Sequence, residues 1–455
     1  MSGGVMAGRE VLWGWGRSPR SAAVVVRPGS VADLVGVFGD VGGRGLVARG
    51  LGRSYGDAAL CAGGLVVDVT GVAGLEVNAG SGLVTAAAGV SVDALLRVLV
   101  PRGRFVPVTP GTRHVTVGGA IAADIHGKNH HRVGSWCDAV VSLRLLLPSG
   151  DVVEVSRDAD PELFWATAGG MGLTGVVVDA TFACPAIESS QVLVETRRFG
   201  DLGGVMAAMV AGDAAHDFSV AWIDLVAGGR QLGRSVLTRG RFARVDELPV
   251  AEQADPLAYD PKVRVVAPPW VPGGLLNRWT VRAFNEVWFR KAPRLHVGLE
   301  SIPQFFHPLD FVDGWNRIYG GRGFLQWQVV VPDGSVGEAA LRRVVERLSG
   351  SGCGSFLAVL KRFGPGNDGM LSFPMAGWTL ALDIPAGVAG LGGLLDELDR
   401  LVVDSGGRVY LAKDSRMDPG LVAAMYPRLE EWRVVRDRVD PHRVLQSDLS
   451  RRLGL

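Results

Sequence analysis

No stretch of this chain approaches the ~20 consecutive apolar residues that a membrane-spanning helix requires. Residues 1–20 carry Gly, Trp and Arg but no continuous apolar core of the kind a secretory signal needs. The expectation is a protein that is cytoplasmic or membrane-peripheral at the cell envelope. Cysteine is scarce: Cys61, Cys137, Cys184 and Cys353 stand far apart, with no CxxC pair. That argues against a disulfide framework and against a thiolate metal site, and predicts four reduced, buried thiols. Neither sign of charge is in excess, since 47 Lys and Arg meet 46 Asp and Glu for a formal net charge of +1. No global field therefore recruits nucleic acid, and an anionic ligand must be met by local groups. The chain shows no Rossmann motif, because the glycine-rich loop after the strand expected at 45–49 has the wrong glycine spacing and the wrong following element.

What is present is globular in texture, with 47% hydrophobic residues over 455 positions, enough for two or three domains. The 64 glycines follow no period, which predicts many tight turns rather than a fibrous repeat. Short strands are expected at 23–27, 45–49, 65–69, 75–78 and 83–88, and a hairpin at 140–147 and 152–155. Helices are expected at 31–38 behind Ser30, at 92–100 behind Ser91 and from Pro161 to 168. The texture changes near Cys184-Pro185. Beyond it come strand-like runs at 324–331, 355–360 and 378–384, a helix at 338–349, a Pro/Gly-rich insertion near 240–275 expected to be mobile, and a basic helical region over 421–453. The fold class expected is α+β, divided as 14–185, 186–405 and 406–455.

Chemistry concentrates in glycine clusters. Ala48-Arg49-Gly50-Leu51-Gly52-Arg53-Ser54-Tyr55-Gly56-Asp57-Ala58 follows a strand and suits either a phosphate-cradling backbone or a simple turn, with nothing in the loop alone to decide. A second cluster joins Gly111 to Thr116-Val117-Gly118-Gly119 and runs on through Ala123-Asp124-Ile125-His126 to Lys128, His130 and His131. Three histidines invite a metal, but no carboxylate or Cys spacing supports one. A His beside a diphosphate or flavin edge is the better reading for His126, and a solvated loop for His131. The third cluster, 169–175, follows the helix expected to end at 168 and doubles as a helix cap. Three such clusters in one region predict a backbone wrapped round an extended, doubly charged ligand.

At this point a resemblance emerges. Arg27-Pro28-Gly29-Ser30, the loop 50–54, Pro110-Gly111-Thr112, Val117-Gly118-Gly119 and 169–175 resemble the FAD-binding domain of the vanillyl-alcohol-oxidase/PCMH superfamily. The segments RGLGRSYGD, PGTR, VTVGGAI, DIHGKNHH, ELFWAT, HPLD, GFLQWQ, LSFP and AKDSR, spread from Gly14 to Arg452, are similar to the decaprenylphosphoryl-β-D-ribose 2′-oxidase family within it. The resemblance implies a two-subdomain FAD-binding domain, a substrate (cap) domain with an antiparallel sheet, and a last segment that returns to the FAD domain with an active-site lysine. It implies FAD contacts at residues 48–58, Gly111, 116–119, 123–126, Val177 and Tyr410. Covalent members bond the flavin through a His in the first loop. Arg53 occupies that position here, so non-covalent FAD is expected.

The same resemblance places Lys413, Tyr55 and His126 at the reacting centre. It puts Lys128, Trp222, Phe306, Arg317, Gln326, Gln328 and Lys361 around a sugar phosphate. It implies a polyprenylphosphoryl ribose as substrate, oxidised at its 2′-hydroxyl, with an NAD(P)H-dependent short-chain reductase acting next, a quinone-type electron acceptor and peripheral membrane contact. Three positions depart from the family: Thr379 and Ala358 stand where it carries Asn, and Ala381 where it carries the Cys that covalent nitroaromatic inhibitors capture. Lost side-chain hydrogen bonds at 358 and 379 are therefore expected. An alditol or aldonolactone oxidase of the same superfamily is the competing enzyme reading, and a non-catalytic flavin- or lipid-binding module the competing class. Neither accounts as well for Arg53 and Lys413 together.

Overall fold

The computed structural model describes residues 6–455 apart from residues 79 and 264. Its strands form three main sheets, each drawn from its own stretch of sequence. β1 (Met6–Trp13), β2 (Arg20–Arg27), β3 (Leu46–Arg49) and β4 (Leu65–Asp68) make the first, ordered β1-β2-β4-β3, with β4 parallel to β2 and β3. β5 (Leu75–Val77), β6 (Leu83–Ala87), β7 (Val140–Leu146), β8 (Val152–Ser156) and β9 (Val176–Ala183) make the second, antiparallel and ordered β5-β6-β9-β7-β8.

Ten strands follow. They are β10 (Gln191–Phe199), β11 (Phe218–Ile223), β12 (Ser235–Phe242), β13 (Val265–Val266), β14 (Leu295–Ser301), β15 (Val312–Asp313), β16 (Phe324–Pro332), β17 (Ala358–Phe363), β18 (Gly377–Pro385) and β19 (Arg408–Val409). β13 and β15 form a parallel pair, and the other eight build one antiparallel sheet ordered β14-β10-β12-β11-β17-β18-β16-β19. The class is α+β, as the sequence predicts.

Local chemistry sets many element boundaries. Ser30, Ser91 and Asp160 accept hydrogen bonds from the backbone N–H groups of Asp33, Ala94 and Leu163, capping the helices Val31–Val37, Val92–Leu99 and Pro161–Thr167. Elsewhere the structure departs from the expected pattern. Residues 117–122 form the helix Val117–Ala122 rather than a loop, because Thr116 caps it by accepting from Gly119 N–H at 3.3 Å. The strand expected at 355–360 is displaced to β17, and the insertion expected from 240 begins inside β12. The C-terminal region is three separate helices, Val422–Met425, Leu429–Val439 and Asp448–Leu453. The long helices Arg278–Lys291 and Leu391–Asp404 were not anticipated.

The third sheet has two unlike faces, because side chains alternate along a strand. Trp327 and Val329 of β16 and Leu380 and Leu382 of β18 are buried beside Leu341, Val344 and Val345 of the helix Ser335–Ser351 and Leu395 and Leu398 of Leu391–Asp404. Trp327 Nε1 donates to Asp399 Oδ1 at 2.8 Å across this interface, and Arg416 Nη1 reaches Asp399 Oδ2, also at 2.8 Å. The opposite face carries the polar residues of the same strands.

The residues after β19 tie the sheets together. Residues 444–446 run beside β3, with Leu46 N–H donating to Val444 O at 2.8 Å and Gln446 N–H to Leu46 O at 2.8 Å. Arg452, from the helix Asp448–Leu453, grips Asp57 with bonds of 2.9 and 2.8 Å and Asp414 at 2.8 Å. Both carboxylates are buried, and burial raises the pKa of Asp57 against the pull of Arg452. Replacing Arg452 by Leu leaves two buried carboxylates unpaired, a loss of about 3–5 kcal/mol. Urea unfolding of Arg452→Leu should show that loss as a lower midpoint.

Candidate active site

The loop 48–58 leaves β3 with an open backbone. Among the described residues, the N–H groups of Gly50, Leu51, Gly52, Arg53 and Ser54 donate to no protein acceptor. Backbone donors are seldom left this way without a ligand or water, and a run of them forms an anion-binding concavity. Gly50 is required by space, since a Cβ there would collide with Thr116 Oγ1, and a Cβ at Gly118 would come within 2.9 Å of Ala88 Cβ. Two of the glycine clusters are thus pressed together. Arg49 is spent on the scaffold, donating to Ala59 O at 3.1 Å and Trp13 O at 2.8 Å. Arg53 stacks its guanidinium 3.8 Å from the Trp15 ring, and its buried Nε has no partner among the described residues.

The other clusters behave differently from the sequence expectation. Gly118 N–H is bonded to Ala88 O and Gly119 N–H to Thr116 Oγ1. In the third cluster Gly169 N–H donates to Ile121 O, Gly170 N–H to Thr167 O and Met171 N–H to Ala122 O. These glycines serve close chain packing, whereas the first loop presents five successive N–H groups without a protein acceptor among the described residues. Gly111 is exposed with open space beside its Cα. Asp124, at φ +39° and fully buried, accepts from Ser135 Oγ at 2.7 Å, Cys137 N–H at 2.9 Å, Asn367 Nδ2 at 2.9 Å and Ser372 Oγ at 2.5 Å. Its carboxylate is saturated by the fold. Val177 is buried in β9, and Tyr410 OH donates to Ala123 O at 2.7 Å, fixing the turn that precedes His126.

The polar face of the third sheet lies opposite Trp327. Register pairs Gln326 with Asp383, Gln328 with Ala381, Lys361 with Thr379 and Trp222 with Val359, so these side chains share one face. Ala358 and Leu360 point to the other face. The expected loss of a substrate hydrogen bond at Ala358 is therefore corrected: the side chain is buried on the helix side of the sheet. Thr379 stays on the polar face, where its Oγ1 accepts from Gln328 Nε2 at 3.2 Å.

His126 is the buried junction of this face with the glycine clusters. Gln328 Nε2 donates to His126 Nε2 at 2.8 Å, and Lys361 Nζ lies 3.0 Å from Nδ1. Burial first, then Lys361, His130 and Lys413, drive the His126 pKa well below its ordinary value, so the ring is neutral. In this arrangement its proton sits on Nδ1 and faces Lys361 as a free amine. The Lys361 pKa of about 7, lowered by burial and then by Lys128 and Lys413, fits that pairing.

Lys413 is half-buried with Nζ 4.0 Å from the Tyr55 ring centroid, and burial lowers its pKa to about 8 while Asp383 opposes the shift. Its segment is pinned on both sides, since Tyr55 N–H donates to Ala412 O at 3.1 Å and Tyr410 N–H to Gln328 O at 2.9 Å.

Asp383 escaped the sequence reading. It is fully buried, accepts from Gln326 Nε2 at 2.6 Å and from Tyr319 OH at 3.4 Å, and burial lifts its pKa to about 7. A lone acid inside the strand run 378–384, in phase with Thr379 and Ala381, was the available signal.

Other expected residues sit in different settings. Trp222 is half-buried on the polar face and donates from Nε1 to Phe356 O at 3.0 Å. Lys128 binds the Phe305 carbonyl and has its pKa lowered to about 8, chiefly by burial. Phe306 is buried in an aromatic cluster with Phe105, Phe218 and Phe305. Arg317 donates to Ala267 O at 2.9 Å beside Arg17. His130 is buried against Phe363, and His131, expected in a solvated loop, is half-buried with Nε2 2.9 Å from His216 O. All four cysteines are buried and free, and no metal-ligating group of three or more side chains occurs among the described residues.

The open donor array, the enforced glycines and the orphaned Arg53 Nε fit a dinucleotide held along loop 48–58. Gly50→Val should therefore yield folded protein with little bound flavin, read as the ratio of visible to protein absorbance after purification. Undiminished flavin would remove Gly50 from the cradle.

Comparison with known proteins agrees. Residues 22–156 match the FAD binding domain family. The chain is 43% identical over 98% of its length to a decaprenylphosphoryl-β-D-ribose oxidase of Mycolicibacterium smegmatis, covering 97% of that protein. It is 40% identical over 80% of its length to an uncharacterized protein in the mprA 5′ region of Streptomyces coelicolor, covering all of it. An L-gulono-1,4-lactone dehydrogenase of Mycobacterium tuberculosis is 25% identical over 95% of the chain and 96% of its own length. With FAD as its cofactor, the chain belongs to the decaprenylphosphoryl-β-D-ribose oxidase family of FAD-dependent oxidoreductases.

Proposed function

We propose that this chain oxidises the 2′-hydroxyl of decaprenylphosphoryl-β-D-ribose, or of a related polyprenylphosphoryl ribose, to the 2′-keto compound. That is the first half of an epimerisation yielding the arabinose donor for cell-wall arabinan. The observation that carries the reading is the Lys413 amine, pinned against Tyr55 opposite a polar sheet face, in a chain so similar to the named oxidase over nearly its whole length.

Residues 48–58, Gly111, 116–119, 123–126, Val177 and Tyr410 hold the cofactor, non-covalently because Arg53 offers no imidazole for a flavin bond. Bound FAD supplies the two-electron acceptor for the alcohol carbon. Lys413 Nζ, with a pKa of about 8, takes the hydroxyl proton as the free amine. Tyr55 fixes its height, and Asp383 is the nearby carboxylate that steadies its charged form.

Gln326, Gln328, Trp222 and His126 orient the sugar. Lys361, Arg317 and Lys128 supply the local positive charge that a phosphodiester needs. An anion bound at Lys361 raises the pKa of that amine and restores its charge. Phe306 acts at one remove, by packing behind Phe305 and Lys128. The 2′-keto product passes to an NAD(P)H-dependent short-chain reductase, and electrons leave for a quinone-type acceptor. The alternative is an alditol or aldonolactone oxidase, favoured only by the more distant similarity to the lactone dehydrogenase.

Anaerobic mixing with farnesylphosphoryl-ribose should bleach the flavin where free alditols and lactones do not; bleaching by the latter alone would establish the alternative. Lys413→Ala should keep its flavin and lose turnover by about 10²–10⁴-fold. In the native enzyme kcat should rise with pH through about 8, as Lys413 loses its proton. KM should worsen above about 7, as Lys361 discharges. A flat kcat profile would remove Lys413 as the base. Acid precipitation should release the flavin into solution, and flavin retained on the precipitate would refute non-covalent binding.

A further inference from the structure

The helix Arg278–Lys291 turns little of itself inward. Only Val281 and Asn285 are buried, while Trp279, Phe284, Val287 and Trp288 are 72%, 45%, 66% and 46% exposed. Trp279, Ala283 and Val287 follow at i, i+4 and i+8, and Phe284 and Trp288 form a parallel row with their rings stacked 6.0 Å apart. Before the helix, Val265, Val266, Trp270 and Leu275 are also exposed. Isolated exposed apolar residues are ordinary, but three exposed tryptophans within residues 265–291, one of them stacked on an exposed Phe284, mark an interaction surface.

Cations outnumber acids along the helix, while Asp313 lies beside Val266. Arg278, Arg282, Arg290, Lys291 and Arg294 lie on or just after the helix. Its single acid, Glu286, is engaged by Arg234 and Arg290. Among the described residues Arg278, Arg282 and Lys291 form no ion pair. Tryptophan on one arc and cations at its flanks is the composition of a helix lying in the headgroup layer of an anionic bilayer. No helix among the described residues is long and apolar enough to cross a membrane, which leaves this in-plane arrangement.

The surface is also continuous with the catalytic recess. Phe284 packs 5.7 Å from Phe356, whose carbonyl receives Trp222 Nε1, and Phe356 lies 5.9 Å from Tyr319, the partner of Asp383. Leu276 joins the same cluster with Tyr55 and Trp315, and Ala267 O is the acceptor for Arg317.

We propose that the helix Arg278–Lys291, together with the exposed residues 265–275, docks the enzyme on the surface of an anionic lipid bilayer with the catalytic recess at the water–lipid boundary. On the reading that the substrate is a polyprenyl phosphate, its sugar head enters past Trp222 while its tail stays in the lipid.

The test needs no turnover. Flavin-loaded enzyme should co-sediment with vesicles of equimolar phosphatidylcholine and phosphatidylglycerol, bind pure phosphatidylcholine weakly, and release as salt rises. Trp279→Ser with Trp288→Ser, and separately Arg282→Glu with Lys291→Glu, should each lower partition by about tenfold or more while flavin content stays at the native level. Brominated lipids should quench the tryptophan fluorescence of the native protein, a reading independent of whether the variants fold. Absence of native partition and quenching, or partition indifferent to both variant pairs, overturns the proposal. So does a concentration-dependent dimer that the tryptophan variant abolishes while vesicles are ignored. Because partition is measured without substrate, its failure is separable from failure of the oxidase reading.

Discussion

The grip of Arg452 on Asp57 and Asp414 is the interaction on which the site depends. Asp57 belongs to the open glycine loop, and Asp414 adjoins Lys413. One guanidinium thus sets the distance between the open glycine loop and the segment that carries Lys413. Two carboxylates so thoroughly buried are tolerable only while a cation answers them. The backbone bonds from Tyr55 to Ala412 and from Tyr410 to Gln328 finish the work, since they place Lys413 between the first sheet's loop and the third sheet's polar face. Asp399 does the same on the other side of that sheet, holding Trp327 and Arg416 at once.

Given that frame, the electrostatics follow from burial. Lys361, Lys413 and Lys128 are all brought toward neutral pH by removal from water, and Lys361 further by the charges of the other two. Asp383 moves upward for the same reason. Groups poised this way respond strongly to an incoming anion, which restores charge to the amines that meet it. His126 couples the set to the cofactor side, because its neutral ring is held by Gln328 on one nitrogen and Lys361 on the other.

Much of this was legible in the residues. Serine caps at 30 and 91 and the 140–155 hairpin are local signals, and they hold because the partners sit within a few positions. The glycine clusters were visible too, but their division of labour was not. Whether Gly50 or Gly169 offers a free N–H depends on which distant carbonyl lies opposite, and Ile121 answers Gly169 while no acceptor among the described residues answers Gly50. Ala358 misled for a different reason. Its neighbours 359 and 361 do face the recess, and only the cross-strand register, which sets Ala358 opposite Leu382, reveals that Ala358 does not. Asp383 went unnoticed because an acid in an apolar run has meaning only through its cross-strand partner Gln326. The helix Arg278–Lys291 lacks the inward apolar stripe by which helices are usually recognised.

The three sheets each come from a continuous stretch of sequence, whereas the reacting groups come from all of them. Local pairing forms early and cheaply in chain entropy, and contacts between remote segments form late. Docking of 410–414 and of Arg452 therefore belongs to the last stage of assembly and to the first stage of local opening. On the proposed reading of Lys413 as the base, activity is a more fragile property than the sheets, because warming releases that amine from its place while the secondary structure still stands. Inactivation and melting are then two separate events, and a bound ligand that bridges the loop and the polar face draws them together.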